Sequence, residues 1–246
     1  IVSGRGELHL SILIENMRRE GYELQVSKPK VIIKEIDGVK CEPYEEVNIE
    51  APDDCIGSVI ESLGYRRGTL ENMHSQDGQT SVTYTIPSRG MIGFMTNFLT
   101  MTKGYGIISH SFLEYRPLEG DTVGERNLGV LVSIDSGQTT AYALGGVEDR
   151  GVMFVGPGVD VYEGMIVGEH TRDNDLVVNV TKGKQMTNTR SSSKDSTVVL
   201  KKPRHFNLEA CLDYINDDEL VEVTPEHIRL RKRYLTELER KQQYRK

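Results

Sequence analysis

Seven basic residues crowd into one stretch, KGKQMTNTRSSSKDSTVVLKKPR, running from Lys182 to Arg204. They are Lys182, Lys184, Arg190, Lys194, Lys201, Lys202 and Arg204, against the single acid Asp195, for a net charge of +6. The chemistry open to them is neutralisation of phosphate: each cation seated on a phosphate releases condensed counterions and yields salt-sensitive affinity without sequence readout. Thr187, Asn188 and Ser191 to Ser193 add small groups that can reach phosphate and ribose hydroxyls. The stretch has no aromatic residue, which argues against base stacking as its main grip. Arg229, Arg231, Lys232 and Arg233 form a second candidate RNA-binding patch. Arg66, Arg67 and Lys103 are weaker candidates, since a helix C-terminus attracts Arg66 and Arg67 equally well.

The net charge of −7 over 246 residues conceals this segregation. Residues 205–225 carry −6, residues 226–246 carry +5, and residues 1–181 carry −12. An acidic body with basic patches suits a surface that meets a polyanion while the rest stays soluble. Charged faces that are merely solvated are the plain alternative.

Catalytic constellations find no support. Neither Ser58 nor Ser88 sits in a GxSxG elbow. The six histidines are scattered, and His9 reads as a packed or capping residue. Asp53-Asp54 fits the first turn of a helix, and Asp173-Asn174-Asp175 a turn without the rest of an EF-hand loop. In SGRGELHL the third glycine of GxGxxG would fall at His9, so a structural turn before a helix is the better reading. Cys41, Cys55 and Cys211 form no CxxC pair and read as reduced thiols of a cytosolic protein, with no metal site expected. No apolar run approaches the roughly 20 residues that span a bilayer, and no signal peptide is visible. With Ile1 in first place, the chain is expected to be a fragment without an active site of its own.

The elements that would carry the cations follow from periodicity. Glu7 to Glu20 has helical spacing and stops at Gly21; Tyr22 to Val26 alternates as a strand. Pro43 to Ala51 alternates as a strand, and a helix from Pro52 closes at Gly64. Gly68 to His74 and Thr80 to Ile86 pair across a turn at Gln76-Asp77-Gly78-Gln79. Gly90 to Thr102 reads as a second helix with Met91, Phe94, Met95, Phe98 and Leu99 in its core stripe, and Ile107 to Tyr115 as the last strand. This order, βαββαβ, is the ferredoxin-like split unit. From Asp121 on, short apolar runs punctuated by DSG, GG, GPG and DND turns predict a small barrel or curled sheet. The basic loop would leave Leu176 to Val180 and return through a strand at Thr197 to Leu200. Asn207 would cap a helix through Ile215, Ile228 to Arg231 would be a strand with its arginines on one face, and Thr236 to Lys246 a charged helix.

GRGELHL, EPYEEVNIEAPDD, LGYRRGTLENM and TKGYGIISHSFLEY together resemble the C-terminal half of the elongation factor G class of translational GTPases. In that class an inserted domain IV separates two ferredoxin-like domains, III and V. Here Ile36-Asp37-Gly38-Val39-Lys40 joins them directly and a long extension follows Tyr115, which resembles the BipA/TypA family, as do SGQTTAYAL, KQMTNTRSS and DDELVEVTP. The resemblance implies an α+β chain: residues 1–38 as the second half of domain III, 39–117 as domain V, and 118–246 as a mainly β, barrel-like C-terminal domain with one or two helices and the basic loop 182–204. It further implies a cytoplasmic, ribosome-binding protein in stress-responsive translation or large-subunit assembly. Its partners would be large-subunit rRNA, the acceptor end of A-site tRNA and ribosomal proteins near the GTPase-associated region, with no DNA and no membrane. GTP and Mg2+ would bind a domain preceding Ile1, and no cofactor this stretch. Two other readings stay open: a small-molecule-sensing regulatory module built on the ferredoxin-like unit, and an oligomerisation piece.

Overall fold

The first helix, α1 (Glu7–Arg19), carries Glu7 in its first turn and Arg18 and Arg19 in its last, where the helix dipole favours each sign. Two short strands follow, β1 (Leu24–Val26) and β2 (Lys34–Ile36). The computed structural model describes residues 1–4, 6–120, 123–124, 126–183 and 199–243. The chain divides into two units: Ile1–Ser11, Pro29–Glu125 and Leu212–Tyr214 in one, Ile12–Lys28, Arg126–Cys211 and Ile215–Lys246 in the other.

The first unit contains β3 (Val39–Pro52), α2 (Asp53–Tyr65), β4 (Thr69–Gln76), β5 (Gln79–Pro87), α3 (Ser88–Met91), α4 (Phe94–Met101) and β6 (Ile107–Pro117). Its sheet runs β2-β3-β5-β4, with β6 antiparallel on β3. This is the ferredoxin-like βαββαβ order expected from the sequence. Alternation along β3 turns Val47, Ile49 and Ala51 inward, opposite Tyr84, Val82 and Thr80 of β5. Val59 and Leu63 of α2 and Phe94 and Phe98 of α4 close the core over them. The hairpin between β4 and β5 turns at Asp77 and Gly78, both at positive φ.

The helix expected over Gly90 to Thr102 is interrupted. Gly93 takes a left-handed φ of 71° between α3 and α4, and the Arg66 guanidinium donates to the carbonyls of Gly90 at 2.8 Å and Ile92 at 2.6 Å. Those carbonyls are thereby satisfied outside any helical ladder. The break also turns the stripe: Met91, Phe94 and Phe98 are buried, whereas Met95 and Leu99, expected in the core, are 38% and 54% exposed.

The second unit contains β7 (Val130–Ser133), β8 (Gly137–Gln138), α5 (Ala141–Val147), β9 (Gly151–Met153), β10 (Asp160–Val161), β11 (Ile166–His170), β12 (Leu176–Val178), most of α6 (Leu208–Tyr214), β13 (Glu219–Val223), β14 (Ile228–Lys232) and α7 (Glu237–Gln243). Its strands form sheets β12-β7-β11-β9, β10-β8 and β1-β13-β14. Among the described residues these sheets stay open, so the mainly β character holds without a closed barrel. Leu131, Leu144, Val147, Val167, Val178 and Val180 make the core beneath α5. Asn207 caps α6 as expected, its side chain accepting the Ala210 N–H at 2.8 Å. Of the strand expected at Thr197 to Leu200, Val199 and Leu200 lie in no strand, and 197 and 198 fall outside the described residues. No described helix is long and apolar enough to cross a membrane.

Candidate nucleic-acid interface

Both roots of the basic stretch are tied to one short helix. At the start of α5, Thr140 Oγ1 accepts the Ala143 N–H at 3.1 Å and donates to the Lys182 carbonyl at 2.7 Å. At its other end the Glu148 carboxylate accepts the backbone N–H of Lys201. Ala143, Leu144 and Val147 bury one face of α5, so the helix that holds the two roots is itself held by the core. Lys182 is fixed again where its N–H donates to Asn179 Oδ1 at 2.9 Å. Arg204 N–H, at the far root, donates to the Met153 carbonyl of β9 at 2.8 Å.

From these anchors Lys182, Lys201, Lys202 and Arg204 all reach solvent. The Arg204 guanidinium lies 4.7 Å over the Phe206 ring and 3.7 Å from the Glu169 carboxylate, so its charge is partly answered within the chain. Lys184, Arg190 and Lys194 lie outside the described residues, as do Thr187, Asn188 and Ser191 to Ser193. Spacing could not have announced Thr140 and Glu148 as anchors, because their partners stand 42 and 53 residues away.

The second patch is divided by the alternation of β14. Arg229 and Arg231 share a face as expected, with Arg229 3.4 Å from Glu222. Glu222 also accepts from the Tyr162 hydroxyl at 2.9 Å, and burial together with that carboxylate pushes the phenol pKa well up. Arg231 donates to the carbonyls of Lys232 and Arg233, and exposed Arg233 to the Asp217 carbonyl at 3.0 Å. Lys232 faces the other way and is 2% exposed. Its ammonium sits 2.6 Å from Asp175, 2.8 Å from Asp218 and 2.9 Å from Glu219. Burial alone would lower the ammonium pKa, but Glu219, Asp218 and Asp175 together raise it above the ordinary lysine value. Glu219, fully buried, also accepts two bonds from Arg126 at 2.7 and 3.1 Å. Burial pushes its pKa up, yet Arg126 and Lys232 hold it below the usual carboxylate value. Lys232, expected among the phosphate contacts, is thus corrected to a core ion pair: its protons point at carboxylates and its head is out of solvent.

The three weaker candidates lie in the first unit. Arg66 is half-buried and occupied by the carbonyls of Gly90 and Ile92; burial lowers its pKa against the pull of Asp213 and Glu7. Exposed Arg67 donates to the Glu119 carbonyl. Lys103 is exposed at the end of α4 and pairs with Asp54 at 3.2 Å, a bond that raises its pKa.

No His, Cys, Asp and Glu cluster suited to a metal occurs among the described residues, and the three cysteines are buried and form no disulfide with one another. An open cleft of about 680 Å³ runs beside β1 and β13, lined by Glu23, Leu24, Gln25, Glu222, Val223, Thr224 and Arg229.

Two family models match successive parts of the chain. Residues 39–126 match the family model described as elongation factor G C-terminus, which gives the class of the first module. Residues 128–237 match the TypA/BipA C-terminal domain. Over 241 residues, 98% of the chain, it is 61% identical to the large ribosomal subunit assembly factor BipA of Bacillus subtilis strain 168. The proteins of the same name from Haemophilus influenzae and Escherichia coli K12 are 53% and 54% identical over the same share. Over nearly its whole length the chain is thus similar to part of the TypA/BipA proteins. It spans 39 to 40% of the length of these relatives.

Proposed function

We propose that this chain is the ribosome-docking C-terminal portion of a translational GTPase, binding large-subunit rRNA and the acceptor end of an A-site tRNA. The observation that carries the reading is the pair of roots: the Lys182 backbone is bonded at one end of α5 and the Lys201 backbone at the other, with Lys182, Lys201 and Lys202 all exposed. Cations on a fixed support meet phosphate without paying to order the backbone beneath them. In this reading Lys184, Arg190 and Lys194, which lie outside the described residues, also meet phosphate, as do Arg204, Arg229, Arg231 and Arg233. Residues 1–38, 39–117 and 118–246 serve as the end of domain III, domain V and the C-terminal domain, with domain V toward ribosomal proteins of the GTPase-associated region.

In the same reading GTP and Mg2+ bind, and hydrolysis occurs, in a part of the longer protein that this chain does not include. The protein works in the cytoplasm, in large-subunit assembly or stress-responsive translation, and the name its relatives carry supports assembly. Co-sedimentation with purified ribosomal subunits tests the reading. The chain is expected to pellet with large subunits at low salt and to leave them as salt rises; absence of pelleting at low salt would overturn it.

A further inference from the structure

We infer that Tyr142 is a stacking platform for an unpaired RNA base, set between the cations at the two roots of the basic loop. The inference rests on the RNA-binding reading above and adds the aromatic that the loop itself lacks. On α5, Ala143, Leu144 and Val147 point into the core. At 100° per residue, Ala141, Tyr142 and Gly145 then point away from it. Tyr142 is accordingly 49% exposed. Its helix neighbours on the open side are Ala141, Gly145 and Gly146, none larger than a methyl, and a Cβ placed on Gly146 would meet nothing within 4 Å. Among the described residues, these helix neighbours leave the ring open to a flat ligand. Among the described residues Tyr142 makes no ring pair, cation–π contact or hydrogen bond.

The support is rigid where an aromatic contact needs it. Thr140, two residues before the ring, holds the Lys182 carbonyl, and Glu148, six residues after it, holds the Lys201 N–H. A seven-residue helix is about 10 Å long, so cations flank the ring at both ends within one short span. Of the nearby acids, Glu148 accepts the Lys201 backbone N–H, Asp135 accepts from the Asn179 side chain beside the Lys182 root, and exposed Asp149 stands beside exposed Arg150. A ring with cations on both sides is the pattern by which single strands are held: bases stack on the aromatic face while lysines track the backbone. Duplex RNA, whose bases are already stacked, gains only from the lysines.

The test uses the 246-residue chain, a short unstructured fluorescein-labelled RNA, and a blunt duplex of the same sequence, read by fluorescence anisotropy across salt. Tyr142→Ala should lose roughly 5- to 100-fold in affinity for the single strand, with the salt slope unchanged and duplex binding unaltered. Tyr142→Phe should bind like the parent chain, because the ring and not the hydroxyl does the stacking. Substituting Lys182, Lys201 and Lys202 together by Ala should weaken both RNAs and flatten the slope by about 2. Circular dichroism of each variant should match the parent, since all four side chains are exposed. If the triple lysine variant loses affinity while Tyr142→Ala binds the single strand normally, the stacking inference is wrong and the RNA reading stands. If the lysine variant also binds normally, both fall. A Tyr142→Ala variant that binds RNA normally but pellets poorly with large subunits would assign the ring to a protein partner and overturn the inference.

Discussion

Replacing Lys232 by Met keeps most of the side-chain volume and removes the ammonium that lies 2.6 to 2.9 Å from Asp175, Asp218 and Glu219. Asp175 and Asp218 are partly exposed and regain water, but Glu219 is fully buried and cannot. Removing one member of a buried pair costs about 3–5 kcal/mol. Arg126 keeps its two bonds to Glu219, which places the expected loss near the lower end, about 3 kcal/mol. At about 2–4 °C per kcal/mol, the midpoint should fall by roughly 6–12 °C. Thermal and urea unfolding followed by circular dichroism and tyrosine fluorescence would read it, the chain having eleven tyrosines and no tryptophan. Arg233→Met is the control: an exposed residue bonded to one backbone carbonyl should shift stability by no more than about 0.5 kcal/mol. Unchanged stability in Lys232→Met, together with a loss of ribosome affinity as large as that from exposed lysines, would refute the core assignment.

His110 Nδ1 lies 2.5 Å from Glu45, which raises the His110 pKa; burial pushes the Glu45 carboxyl up, but His110 and Ser88 bring it below its ordinary value. The His110 contribution is complete below about pH 6.5 and lost as pH rises through its raised pKa, while that of Glu45 is present above about pH 4.5 and lost in acid. His110→Ala should therefore cost most in urea midpoints near pH 5.5 and least above pH 8, by under about 1 kcal/mol because the pair is partly exposed. Asn207→Ala, deleting the α6 cap, should cost about 1 kcal/mol by the same assay. Gly93→Ala forces a side chain into a left-handed conformation 3.1 Å from Asp213 and should cost about 1–2 kcal/mol in thermal unfolding.

The ferredoxin-like unit was legible because its signals are local. Alternation from Pro43 to Ala51, the Asp77-Gly78 turn and the helix closing near Gly64 each depend on neighbours in sequence, and each element stands within a few residues of its expected place. The break at Gly93 was not legible, because it depends on an arginine 24 to 26 residues away taking two carbonyls. Met95 and Leu99 fell outside the core for the same reason, since a stripe extrapolated across a break loses its phase. Lys232 carried an overlooked signal: in a strand with Arg229 and Arg231 outward, period two places Lys232 with buried Leu230. The exposed cations at the loop roots were readable from composition, whereas their common anchor on α5 required the tertiary structure.

The salt dependence of binding to purified large ribosomal subunits tests the ribosome-docking reading most directly. Plotted as log affinity against log salt, the parent chain should fall steeply. The variant with Lys182, Lys201 and Lys202 changed to Ala should fall less steeply, by about 0.7 per cation removed. Coincident lines for the two proteins would contradict the claim that these roots meet phosphate.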